Sequence, residues 1–189
     1  MSMFTCRVKM THDYVMKIPQ SLCKPTNGDF DGDTFSYYSI PKEMNNMMIE
    51  ALGAKNRFLY KKNHQPLFTP THEFMQGLIQ ATKVDIPDKR EVFDSLEDVI
   101  KYKKNTKGFR YQTMFILNGR ETTLAREILS EYFDKDINAY LGDFKTTLNP
   151  KNIILLYEQL RDKEDRLERI QKIQQFAAKI ATLSGATAP

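Results

Sequence analysis

Asn27-Gly28-Asp29-Phe30-Asp31-Gly32-Asp33 is the stretch around which this chain is organised. Three aspartates alternate with a phenylalanine and a glycine, and no lysine or arginine lies among them. In an extended or tightly looped backbone alternate side chains share a face, so the three carboxylates can converge. Two carboxylates about 4 Å apart repel by roughly 4 kcal/mol at an effective dielectric of about 20. Three together demand either protonation or a cation between them. A hard divalent ion with oxygen ligands meets that demand, and Mg²⁺ suits a compact cage that leaves positions for water and phosphate. Gly28 and Gly32 let the backbone turn tightly and admit a bulky anion close to the chain.

Three other patterns compete for the same residues. A calcium-binding EF-hand loop would need its glycine two places later than Gly32 and a glutamate at the twelfth position, where Ile40 stands. A haloacid-dehalogenase-type phosphatase carries D-x-D-G-T after an apolar strand. Asp33 occupies the threonine position here, and Cys23-Lys24-Pro25-Thr26-Asn27 is no buried strand. A solvated acidic turn is the plain structural alternative, because Asp and Gly are ordinary turn residues.

The stretch resembles the N-A-D-F-D-G-D signature of the largest, β′-type subunit of multisubunit DNA-dependent RNA polymerases, with Gly28 in place of Ala. Upstream, residues 14–23 (YVMKIPQSLC) look like the strand and turn that lead into that signature. Downstream, Pro70-Thr71-His72-Glu73-Phe74-Met75-Gln76-Gly77-Leu78 is similar to the family's P-[ST]-Q-D-x-x-x-G-L. Residues 122–129 (TTLAREIL) are similar to T-T-x-G-R-x-x-L, with Ala125 for Gly, and residues 181–186 (ATLSGA) look like the A-T-x-S-G that opens the next module. These matches fall in the family's order along nearly the whole chain.

Composition sets wide bounds. The 189 residues are 41% hydrophobic, enough for one or two small cores, and the net charge of +4 is compatible with a polyanionic partner. Cys6 and Cys23 have no metal-ligand or disulfide spacing, and no apolar run approaches the ~20 residues of a membrane span. His12, His64 and His72 are scattered and read as surface residues.

Along the chain, residues 3–8, 14–18 and 34–40 are β-forming runs punctuated by Pro19, Pro25 and Pro41. Residues 44, 47, 48, 51 and 52 form a helical apolar stripe ended by Gly53, its methionines read as core packing. An irregular stretch with a basic turn at Lys61-Lys62 follows, then a helix capped by Thr71. Ser95 starts a helix that runs into Lys101, Lys103, Lys104, Lys107 and Arg110, a cluster read as a solvated face with nucleic-acid phosphate as the rival. Residues 111–117 predict a strand closed by Asn118-Gly119, and Thr122 or Thr123 caps the next helix. Asn149-Pro150 starts another, residues 161–166 interrupt it, and a last helix runs to Ser184-Gly185. The fold class expected is α+β.

The resemblance implies more. Residues 1–42 would be part of a double-psi β-barrel carrying the aspartate loop, followed by a helical and irregular module over 43–118 and a helical module over 119–189 that leads toward the pore. It implies templated nucleotidyl transfer, with Asp29, Asp31 and Asp33 as catalytic and metal-binding residues on one Mg²⁺, a second Mg²⁺ arriving with the NTP, and Asn27 touching the incoming ribose. Implied partners are the remaining β′-type and β-type fragments, template DNA, RNA and NTPs, with no membrane. The family's R-x-P-T-L-H segment and its bridge helix and trigger loop fall outside the sequence. A naturally split β′-type subunit of the giant-bacteriophage kind is therefore expected, active only in complex, in the host cytoplasm or packaged in a virion. A non-catalytic scaffold or nucleic-acid-binding relic is the alternative.

Overall fold

The structure is a computed structural model that describes residues 3–59 and 65–185. Lys61, Lys62, His64 and Ala186, named above, lie outside the described residues. The architecture is α+β: one small three-stranded sheet and many helices.

The longest element, α8 (Arg166–Ser184), packs along α3 (His72–Thr82). Ile170, Ile173, Phe176, Ala177 and Ile180 of α8 repeat at helical spacing and are buried with Leu78 and Ala81 of α3. The two backbones approach at Gly77, where an added Cβ would run into the Ala177 carbonyl. Around this pair lie α5 (Leu124–Phe133), α6 (Ile137–Leu141) and α7 (Pro150–Gln159), which add Leu129, Phe133, Ile137, Ile153, Leu156 and Tyr157 to the same core. The expected starts hold in detail: the Ser95, Thr123 and Asn149 side chains accept the N–H of Asp98, Arg126 and Asn152, and Pro150 opens α7. Thr71 takes the cap position of α3, but its side chain makes no capping bond.

A second, smaller core sits under the sheet. Strand β1 (Val92–Phe93) pairs parallel with β2 (Met114–Leu117), which turns through Asn118 and Gly119, both at positive φ, into antiparallel β3 (Arg120–Thr123). The strand expected over 111–117 is thus shorter, because Tyr111 turns away to pack edge-on against Phe176 of α8. Helix α4 (Leu96–Asn105) covers the sheet through Val99, which packs with Phe109, Phe115, Leu117 and Leu124. Strands β1 and β3 and helix α6 are too short to leave a periodic signal.

Arg126 ties the two regions together. It is fully buried, and Nε and Nη2 both donate to the Thr82 carbonyl at the end of α3 (3.2 and 2.8 Å). Nη2 also donates to the Thr146 carbonyl (2.9 Å), and Nη1 to the Asp143 carbonyl (3.0 Å) and Asn138 Oδ1 (3.3 Å). Burial lowers its pKa, opposed by the field of Asp143.

The first fifty residues differ most from expectation. Among the described residues 3–40 there are no strands, only an isolated bridge from Thr5 to Gly53. A 3-10 turn at Gln20–Leu22 leads into the single-turn helix α1 (Cys23–Thr26). The β-forming runs at 3–8, 14–18 and 34–40 find no ladder partner, and a strand without one leaves its backbone groups to water. No double-psi barrel is seen. Helix α2 (Asn45–Leu52) forms where the stripe predicts it, but it buries no residue, and Met44 and Met47 are exposed. Their reading as core is corrected: Met48 and Leu52 are half-buried, and among the described residues nothing buries the rest of that apolar face. The segment is held by Phe4 and Leu22 against the main core, by Arg57 donating to the Met3 carbonyl (3.1 Å), and by Thr5 N–H donating to the Leu52 carbonyl (3.0 Å).

Candidate metal centre

The loop begins at the end of α1. Asn27 adopts the left-handed conformation (φ 53°, ψ 42°), and its N–H bonds back to the carbonyls of Cys23 and Lys24. Gly28 N–H donates to the Cys23 carbonyl (3.0 Å), and Thr26 Oγ1 donates to the Leu22 carbonyl (2.6 Å). This close reversal delivers Asp29 to the surface pointing out of the turn. Gly32 has φ 123°, a conformation that side-chain-bearing residues rarely adopt, so the loop requires glycine there. At Gly28 an added Cβ would meet Thr26, Asp33 and Phe35 only at ordinary contact distances, 3.4 to 3.5 Å. The alanine of the polymerase signature would therefore fit, and the one departure from it leaves the loop shape intact.

Asp29, Asp31 and Asp33 converge as the alternation predicts. Each offers a carboxylate oxygen, and the three lie within 4.8 Å of one another. The loop closes on its own acids: Asp29 N–H donates to Asp33 Oδ2 (3.1 Å), and Asp31 N–H to Asp29 Oδ1 (3.2 Å). The Asp31 carboxyl is held above the ordinary carboxylate range, first by its hydrogen bond with the Asp29 side chain and then by the charges of Asp29 and Asp33. Asp29 is held below that range by the same shared hydrogen bond and by the Asp31 N–H, with a smaller contribution from the charge of His72. Asp31 is therefore the carboxyl that takes up a proton first as pH falls, which relieves the repulsion within the loop.

The donor set fits a hard divalent cation. Opposite oxygens of an octahedral Mg²⁺ site are about 4 Å apart, at about 2 Å per bond, and exposed carboxylates reach that span by side-chain rotation. All three are exposed, so open positions remain for water or phosphate. His72 is what reading the sequence missed. It starts α3 at positive φ (46°) and bears electrostatically on Asp29 from forty-three positions away, which no local spacing could reveal. It is exposed, as expected of a surface histidine; His12 is exposed too.

No family model matches the chain. Over 140 residues it is 27% identical to the DNA-directed RNA polymerase subunit beta' of Herminiimonas arsenicoxydans, a match that covers 61% of this chain. The chain is distantly similar to that RNA polymerase subunit. It spans only 10% of the β′ relative's length. Among the described residues no helix is long and apolar enough to cross a membrane.

Proposed function

We propose that this chain carries the magnesium-binding loop of a multisubunit DNA-directed RNA polymerase and works in templated nucleotidyl transfer as part of a complex. The observation that supports it is the convergence of Asp29, Asp31 and Asp33 in a loop whose sequence follows the β′ signature. When bound there, Mg²⁺ supplies a Lewis acid that lowers the pKa of an attacking hydroxyl and neutralises charge on phosphate. The chain's own work is positional. The αL turn at Asn27 and the glycine at 32 fix three carboxylates in one small volume, and their mutual repulsion makes the pocket selective for a small cation. Asn27, adjacent to the triad, is the residue assigned to the incoming ribose.

In this reading residues 1–42 take up their place in a double-psi barrel only when other polypeptides supply the remaining strands. The modules over 43–118 and 119–189 follow it. The partners are the other polymerase subunits, template DNA, RNA and NTPs, and the setting is the cytoplasm of a host cell or a virion. The exposed methionine face of α2 and the exposed Val8, Met10, Tyr14, Tyr37 and Tyr38 suit such docking.

The test is made on the assembled complex. Asp29→Ala, Asp31→Ala and Asp33→Ala should each abolish RNA extension on a primed scaffold while leaving subunit assembly intact. Fe²⁺ exchanged for Mg²⁺ should direct hydroxyl-radical cleavage to residues 29–33. Extension retained by any of the three variants, or cleavage elsewhere, would leave the chain a non-catalytic scaffold.

A further inference from the structure

A second charged surface lies on the sheet side, made by residues that are remote in sequence from the acidic loop. Residues 101–110 (KYKKNTKGFR) hold five basic side chains and no acidic one. Lys101 lies 3.8 Å from Asp98, but among the described residues Lys103, Lys104, Lys107 and Arg110 enter no ion pair. The fold adds a sixth cation. Lys103 Nζ of α4 lies 4.4 Å from the centroid of the Tyr111 ring, and Lys179 Nζ of α8 lies 5.2 Å from the same centroid. Tyr111 itself is fixed: its ring packs edge-on against Phe176 at 5.6 Å, and its carbonyl accepts the Ala125 N–H at 2.9 Å. One anchored ring therefore holds two ammonium groups from different helices within each other's Coulombic reach.

The α4 dipole does not account for this arrangement. Lys103 and Lys104 complement the carbonyl end of that helix. Lys107 and Arg110 lie beyond it, and Lys179 belongs to another helix. Such a concentration of uncompensated positive charge is relieved by a polyanion, and lysines spread over a helix end, a loop and a neighbouring helix suit an extended row of phosphates more than one compact anion. We infer that the surface of Lys103, Lys104, Lys107, Arg110 and Lys179, organised on Tyr111, binds the phosphate backbone of a nucleic acid without reading its bases.

The experiment measures fluorescence anisotropy of labelled duplex and single-stranded DNA of unrelated sequences with the full chain, across a salt series. The expected result is binding that is indifferent to sequence and falls steeply with salt. The double variant Lys103→Gln/Lys179→Gln should weaken it by about tenfold or more at low salt and flatten the log–log salt slope by about two. Lys103→Arg/Lys179→Arg should restore both, and Lys9→Gln/Lys42→Gln, which removes the same charge elsewhere, should change neither. The inference is overturned by an absence of binding, by equal losses in the two glutamine pairs, or by polyglutamate displacing the DNA at matched charge, which would assign the surface to an acidic protein. It does not depend on the acidic loop: Asp31→Asn should leave this binding in place, so failure here and failure of the catalytic proposal are told apart.

Discussion

At the scale of single residues, Arg126 and Asp31 show opposite uses of charge. The Arg126 guanidinium directs all its donors at four carbonyl and amide oxygens without a direct carboxylate partner. A lysine there keeps the charge but offers fewer donors from a single point, so Arg126→Lys strands buried carbonyls on Thr82, Asp143 or Thr146. Urea denaturation should show a loss of about 2–3 kcal/mol, the scale of an unsatisfied buried polar group. Asp31 is the converse, a carboxyl its neighbours push toward protonation. A raised carboxyl stabilises the fold below its unfolded pKa and loses that contribution as pH rises through the folded value; Asp29, held low, contributes above its unfolded pKa and loses it as pH falls. At neutral pH the metal-free chain therefore carries unrelieved repulsion at Asp31. Asp31→Asn should melt no lower than wild type without metal, while only wild type gains melting temperature with Mg²⁺ or Mn²⁺. Mn²⁺ binding followed by electron paramagnetic resonance should weaken on acidification, beginning above the ordinary carboxylate range because Asp31 takes up its proton first. The triad was legible in the sequence because alternation and loop glycines act over a few residues. The position of His72 was not, since only tertiary packing brings α3 near the loop.

At the scale of elements, the caps and stripes of α3, α4, α5, α7 and α8 could be read directly, because each is long enough to show helical periodicity and four begin or end on a strong signal. Gly185, at φ 62°, closes α8 where Ser184-Gly185 predicts its end. The sheet could not be read this way: β1 has two residues, and its pairing to β2 joins positions more than twenty apart. The junction of α3 with α8 carries a sharper expectation. Gly77 is helical with no unusual φ, so its need is for space, and the obstacle is the backbone of α8 rather than a side chain that could swing away. Gly77→Ala must push the two helices apart along their buried faces. Chemical denaturation should report a loss of about 3 kcal/mol, the upper end of what overpacking costs, where alanine in an exposed helix would be stabilising.

At the scale of the whole molecule, two populations of apolar residues are unequally placed. From Phe58 to Ala181 the large aliphatic and aromatic side chains form two cores that meet at Tyr111 and Ile128. Before them, Val8, Met10, Tyr14, Tyr37 and Tyr38 are each more than three-quarters exposed. The β-forming pattern of residues 3–40 was read correctly as composition and wrongly as strands within this chain, because alternation specifies which side chains share a face but cannot supply the neighbouring strand that takes up the backbone bonds. A segment so sparsely bonded opens at little cost in free energy, whereas the helices around α8 open only with the core. Limited trypsinolysis of the isolated chain should therefore cut first after Arg7, Lys9, Lys17 and Lys42, sparing Lys24 because Pro25 follows it, and leave the helices from α3 to α8 intact by mass. If the segment docks on polymerase partners through its exposed apolar residues, the same sites should be protected in the assembled complex. Early cuts within α5 or α8, or equal cleavage at Lys17 in the isolated and assembled states, would show that the division between a pre-formed helical body and a partner-dependent amino-terminal segment does not exist.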